Sequence, residues 1–193
     1  MRFELLTAED YVEVPWKNGR GVTSEIAREP RTGEEFDWRV SMAGITEDGP
    51  FSNFAGYNRV IVALDGAGFS LLHAEIDRSV LLGSLEPYEF SGDWATNCQL
   101  RGGPMRDFNV ITARTRASAR VEVATGTRIH HFDCRGRTIL AYCVRGALMV
   151  EPASRVHAFV VAGETLRVDG ADHIVVSGED QDSAAILVEI GLG

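Results

Sequence analysis

Val60-Ile61-Val62-Ala63-Leu64-Asp65-Gly66-Ala67 and Ile139-Leu140-Ala141-Tyr142-Cys143-Val144-Arg145-Gly146-Ala147 are the stretches that decide the fold, and their turn glycines stand eighty residues apart. Each is a near-continuous apolar run, the pattern of a buried strand, closed by a residue pair suited to a tight turn. Asp65-Gly66 is a hairpin signal, because Gly accepts the positive φ such turns require. The echo continues downstream, where Phe90-Ser91-Gly92-Asp93 is answered by Val168-Asp169-Gly170-Ala171. Apolar strands close each half, Phe108–Thr112 in the first and Ala185–Ile190 in the second. A plan given twice predicts two related β modules.

Around these runs the chain is strand-rich. In Phe36-Asp37-Trp38-Arg39-Val40-Ser41-Met42-Ala43 the large apolar residues fall on even positions, and Asp37, Arg39 and Ser41 face the other way. That period of two predicts a strand with one apolar face. Phe69–Leu72, Val80–Leu82, Tyr88–Phe90, Asn97–Leu100 and Asp107–Thr112 follow as short strands between turn residues. Thr7–Tyr11 predicts a single capped turn, and no other segment sustains a helical period. The expected fold class is all-β, two barrels in one compact unit over residues 1–193. The approximate modules are 1–115 and 116–193.

Composition narrows the function. The chain of 193 residues has a formal net charge of −9, which argues against nucleic acid, whose phosphates call for a basic surface. No run of about 18 apolar residues marks a membrane span, and the acidic N-terminal decapeptide does not suit a signal peptide. Cys98, Cys134 and Cys143 include no CxxC pair and predict free thiols in a reducing cytoplasm.

Pro15-Trp16-Lys17-Asn18-Gly19-Arg20-Gly21-Val22-Thr23-Ser24-Glu25-Ile26-Ala27 sets an aromatic, two cations, an amide and two glycines beside a strand. Such a set suits a small anionic or amide-bearing molecule, and equally a polar-capped tight turn. Its first nine residues resemble the opening motif of the HutD/Ves family of bicupin-like proteins. Phe51-Ser52-Asn53-Phe54-Ala55-Gly56-Tyr57-Asn58-Arg59, Phe90-Ser91-Gly92-Asp93 and Gly102-Gly103-Pro104-Met105-Arg106-Asp107-Phe108-Asn109-Val110 match further blocks in the family's order. The resemblance implies two cupin-type (jelly-roll) barrels and a bacterial cytoplasmic setting. For HutD-like members it implies a place in histidine utilisation, moderating the pathway by binding an intermediate. Ves-like members imply a stress-linked role instead.

The residues give little support to catalysis. His73-Ala74-Glu75 places a carboxylate at i+2 on a strand, the best candidate for a metal-assisted cupin hydrolase or isomerase. No second His lies near it, His130 and His131 face opposite ways, and His157 and His173 stand apart in sequence. All five histidines are expected at the surface or behind a site rather than as ligands. No nucleophile elbow or phosphate-cradling loop is present. We therefore expect no metal and no cofactor, and leave the question of an enzyme open.

What remains is a polar set in the first half: Trp16, Lys17, Asn18, Thr23, Glu25, Arg39, Arg59 and Asn109. Facing into one barrel, these would bind a small carboxylate, with arginine as the bidentate partner. Plain alternatives stand beside each: Arg59 paired with Glu25, Arg39 on a solvated face, Asn109 bonded to backbone, Trp16 as core. The expected partner is a small anionic metabolite, with no nucleic acid and no membrane; self-association as a dimer is compatible. The second module's interior is mainly apolar and is expected to be structural.

Overall fold

A computed structural model of the chain describes residues 2–16, 21–152 and 157–193. Its strands are β1 (Arg2–Leu6), β2 (Val12–Pro15), β3 (Val22–Glu29), β4 (Trp38–Ile45), β5 (Gly49–Pro50), β6 (Tyr57–Ala63), β7 (Phe69–His73), β8 (Arg78–Leu82), β9 (Tyr88–Ser91), β10 (Thr96–Leu100) and β11 (Met105–Ala113). They continue as β12 (Ala117–Thr125), β13 (His130–Asp133), β14 (Arg137–Arg145), β15 (Ala147–Pro152), β16 (Ala158–Val161), β17 (Thr165–Asp169), β18 (His173–Gly178) and β19 (Ala184–Leu192). The helical content of the described residues is one 3-10 turn, Ala74–Ile76. No helix among them is long and apolar enough to cross a membrane.

The chain divides into two compact units, a first module of Val12–Ala117 and a second of Met1–Tyr11 with Ser118–Gly193. The N-terminal strand joins the second because β1 pairs antiparallel with β17. The first module holds a sheet in the order β2-β3-β4-β11-β6-β9 and another in the order β5-β10-β7-β8. In the second the orders are β1-β17-β14-β19-β12 and β13-β18-β15-β16. Adding eight to each strand number turns β4-β11-β6-β9 into β12-β19-β14-β17, and β5-β10-β7-β8 into β13-β18-β15-β16. The sequence echo is thus a repeated double-sheet jelly roll, a cupin-like arrangement.

Within each module the two sheets enclose an apolar core. Ile61, Ala63 and Phe90 of one sheet meet Phe69, Leu71 and Cys98 of the other in the first module. Ile139, Ala141 and Leu187 meet Leu148, Val150 and Ile174 in the second. All three cysteines are free and buried. The thiol pKa values are pushed up by burial, to about 12 for Cys98 and about 11 for Cys134 and Cys143.

One expectation is corrected. Asp65-Gly66 does not close a hairpin, because β6 pairs with β11 and β9 while β7 pairs with β10 and β8. The turn instead carries the chain from one sheet to the other, with Gly66 at φ 76°. It is pinned to the start of β11, where Leu64 N–H donates to Arg106 O and the Asp65 carboxylate accepts from Arg106 N and Nε. Gly146, at φ 71°, makes the equivalent crossing between β14 and β15.

Gly92 explains one of the motif blocks. A Cβ there would lie 2.4 Å from Phe54 O and 2.8 Å from Tyr57 O, on the side where Gly92 N–H donates to Tyr57 O and Gly92 O accepts from Phe54 N–H. Backbone cannot yield as a side-chain tip can. Gly92→Ala is expected to lower stability by about 2 kcal/mol, read as a drop in the calorimetric unfolding midpoint.

Candidate functional site

Cross-strand register assembles the candidate site. In an antiparallel sheet, directly opposed side chains share a face, and so do residues two along. One row of the six-stranded sheet runs Thr23–Ala43–Asp107–Ala63, and the next Glu25–Ser41–Asn109–Ile61–Tyr88. The third runs Arg28–Arg39–Ile111–Arg59–Phe90, its first step following a bulge between Glu25 and Ala27. Thr23, Glu25, Arg39, Arg59 and Asn109 therefore lie on one face, the same face as Ile61 and Ala63 of the apolar core.

The polar side of β4 is therefore inward-facing rather than solvated. Ser41 is buried at 2% exposure and Arg39 Nε is fully covered, while Trp38 and Val40 are buried on the opposite face. Arg59 is 6% exposed. Its Nη2 donates to Asn109 Oδ1 at 2.7 Å and its Nη1 to Ser52 O at 3.2 Å. The pairing of Arg59 with Glu25 is not found; the Glu25 charge acts on Arg39 instead. Asn109 is bonded to the Arg59 side chain rather than to backbone through that oxygen. Its amide nitrogen is left to serve Asp107, a division that uses both ends of the amide.

Aromatic rings frame both guanidiniums. Arg59 Cζ lies 4.9 Å from the Phe90 centroid, 5.3 Å from Phe51 and 5.4 Å from Phe54. Arg39 Cζ lies 5.1 Å from Phe36 and 5.1 Å from Phe54. The rings exclude water while their faces favour the cations. Burial lowers the Arg59 pKa to about 10, with Arg39 adding to the shift and Asp107 opposing it. Burial lowers Arg39 as well. Both remain cations at neutral pH, and among the described residues the Nε of each lacks a hydrogen-bond partner.

Asp107 belongs to the same buried cluster and was not among the sequence candidates. Its carboxyl is 3% exposed and accepts from Ala43 N–H at 3.1 Å. Burial raises its pKa to about 6, against the hydrogen bond from Asn109 and the charge of Arg59. The alternation in Asp107-Phe108-Asn109 was the available signal, since it places Asp107 on the face of Asn109.

The motif blocks build the rim. Trp16 Nε1 donates to Thr23 Oγ1 at 2.9 Å, and its ring lies where a Cβ on Gly21 would approach to 3.0 Å. Asp93 clamps the segment that carries Phe51 and Phe54, accepting from Gly56 N–H at 2.7 Å and Arg114 Nη2 at 2.6 Å while its own carbonyl accepts from Asn53. Those bonds, the Gly56 amide foremost, hold its pKa near 2. Lys17 and Asn18 lie outside the described residues.

His131, His157 and His173 are exposed, as the sequence predicts. His73 and His130 are buried, at 0% and 8% exposure. His73 and Glu75 do not share a strand face, because β7 ends at His73 and Glu75 enters the 3-10 turn, where its carboxylate accepts from Ala95 N–H. His173 does not stand apart: its Nε2 lies 3.3 Å from His131 Nδ1 on the neighbouring strand. Among the described residues no three His, Cys, Asp or Glu side chains converge as metal ligands would.

The second module provides an internal control. At the positions matching Arg59, Asp107 and Asn109 by register, it has Ile139, Ala185 and Leu187. All three belong to its apolar core. Open grooves on that module, around Arg120, Arg137 and Glu189, are lined by groups already engaged, such as the Arg137–Glu189 ion pair. The first jelly roll thus has Arg59, Asp107 and Asn109 where the second has aliphatic residues at the matching positions.

Fold and sheet order define a bicupin. The chain belongs to the HutD family, whose model matches residues 8–186. A 21.2 kDa protein from the hutC 3' region of Pseudomonas putida is 38% identical over 191 residues, covering 98% of this chain and 97% of that one. Protein Ves of Escherichia fergusonii is 37% identical over 125 residues, 64% of each chain. The solved structure of HutD from Pseudomonas fluorescens SBW25 superposes with a TM-score of 0.84 at 36% identity, covering 100% of both chains. Cupin-type proteins at 9–10% identity share the fold alone.

Proposed function

We propose that the first module binds a small carboxylate between Arg39 and Arg59, and that binding rather than catalysis is its task. The observation that carries this is that the buried Arg59 and the half-buried Arg39 each hold a covered Nε donor with no partner among the described residues, and that the second jelly roll has Ile139 in place of Arg59. A covered guanidinium donor without a partner is costly, and a carboxylate accepting from both arginines would relieve that cost. Asn109 and Thr23 would set its orientation, Trp16 would wall the site, and Lys17, Asn18 and Glu25 complete the polar set on the same segments. The HutD relatives, one from a hutC region, support a cytoplasmic role in moderating histidine utilisation. The ligand would then be a pathway intermediate such as urocanate, formyl-glutamate or formimino-glutamate.

The test is thermal unfolding with each of these acids at millimolar concentration. A ligand that binds the folded state alone adds about 2.7 kcal/mol at a hundredfold excess over Kd. For a chain of this size that raises the midpoint by several degrees. A selective rise with one acid, recovered unchanged after incubation, is the expected result. Consumption of the acid would make the protein an enzyme, and no rise with any would remove the carboxylate reading.

A further inference from the structure

We propose that the ligand is a carboxylate that also bears an N–H or O–H donor, and that His73 Nε2 receives this donor. The proposal rests on the carboxylate-binding reading above and adds a second, distinct point of recognition. His73 lies on β7, opposite Thr96 on β10, and so points with Phe69 and Leu71 into the interior of the first module. It is wholly buried.

Its protonation turns on its neighbour. Thr96 Oγ1 lies 2.9 Å from His73 Nδ1 and 3.2 Å from Trp94 O, with one proton to give between them. In the proposed site that proton goes to the Trp94 carbonyl, so that toward His73 the hydroxyl accepts and Nδ1 is the protonated nitrogen. Burial, with the nearby charge of Arg78 adding, lowers the His73 pKa and keeps the ring neutral at neutral pH. Nε2 is then a bare acceptor. It is buried and has no hydrogen-bond partner among the described residues. The rings of Phe90, Trp94 and Tyr88 pack at 5.1, 5.1 and 5.6 Å without supplying one.

One ligand would serve both the acceptor and Arg59, because both pack against the Phe90 ring. The Phe90 centroid is 5.1 Å from the His73 ring and 4.9 Å from Arg59 Cζ. These distances hold imidazole and guanidinium to no more than about 10 Å apart, within the reach of a small acid with a polar group at its far end. A plain short carboxylate would satisfy the arginines and leave Nε2 unpaired. Sites with a buried hydrogen-bonding group reject analogues that leave it unpaired.

Two near-isosteric acids separate these cases: urocanate, with a ring N–H, and trans-cinnamate, with a phenyl ring and no donor. Calorimetric titration of the full-length protein is expected to show urocanate binding at least about tenfold tighter than cinnamate. His73→Phe should bring urocanate to the cinnamate level and leave cinnamate nearly unchanged, while Arg59→Met should lose both. Equal affinities in the wild type, or a preference that survives His73→Phe, would overturn the proposal while sparing the carboxylate reading. If the wild type binds neither acid, both fall. A readout that needs no variant is the His73 Nε2 resonance in long-range ¹H–¹⁵N spectra. It should start at the position of an unprotonated ring nitrogen and move upfield with urocanate but not with cinnamate. A resonance unmoved by bound urocanate contradicts the proposal.

Discussion

Arg59→Met should all but abolish carboxylate binding, weakening it about thirtyfold to several thousandfold, and yet leave a folded protein. Removing one partner of a buried, hydrogen-bonded charge pair costs about 2–5 kcal/mol of binding, which at 1.4 kcal/mol per decade gives that range. The fold should survive because Met fills much of the same volume among Phe51, Phe54 and Phe90. The loss of bonds to Asn109 and Ser52 is offset by relief of the repulsion from Arg39. Titration calorimetry and a thermal scan on one preparation provide both numbers. Unchanged affinity would place the site elsewhere.

Asp107→Asn is expected to stabilise the protein at neutral pH. The folded-state pKa of about 6 stands above the ordinary 3.8. Between those values the folded chain keeps a proton that the unfolded chain has released. Stability therefore falls as pH rises through that window, and the full cost, about 3 kcal/mol, applies above it. Asparagine keeps an oxygen for the Ala43 N–H and has no charge to bury. The midpoints of variant and wild type should diverge between about pH 4 and 6, with the variant several degrees higher above that. Exposed carboxylates with depressed values, such as Asp93, lose their contribution below the window and are common to both proteins. A variant less stable at pH 7, with no growth of the difference across the window, would show that the charge is compensated. A carboxylate kept at such cost beside Arg59 fits a residue retained to tune the site rather than to hold the fold.

Much of this was legible in the chain. The glycine-closed runs around Gly66 and Gly146 gave the repeat, because a buried strand followed by a positive-φ turn leaves a local signature. Partnership did not follow from it: Asp65-Gly66 has hairpin chemistry, but the partner of β6 is chosen by long-range packing against β11. The alternation in Arg39 and Ser41, and in Thr23 and Glu25, correctly grouped residues on common faces. Alternation is silent on whether a polar face meets water or a core, and the solvated alternative for Arg39 stayed open for that reason. Asp107 was overlooked because an acid just after Gly102-Gly103-Pro104 resembles the end of a turn. His73 and Glu75 misled in the opposite way, since the i+2 rule holds only while the strand lasts. The meeting of His131 with His173 joins strands 42 residues apart, beyond any local period.

The most direct measurement is a ¹H–¹⁵N spectrum of the arginine Nε–H groups during titration with urocanate, formyl-glutamate and formimino-glutamate. The Nε donors of Arg39 and Arg59 are buried and unpartnered, so a carboxylate between them has to change both. The expected result is that these two resonances move together and saturate at one concentration, while those of surface arginines such as Arg101 and Arg120 stay in place. If one of these acids binds by calorimetry and both resonances stay where they were, or if none of the three moves them, the first module does not bind these carboxylates through Arg39 and Arg59.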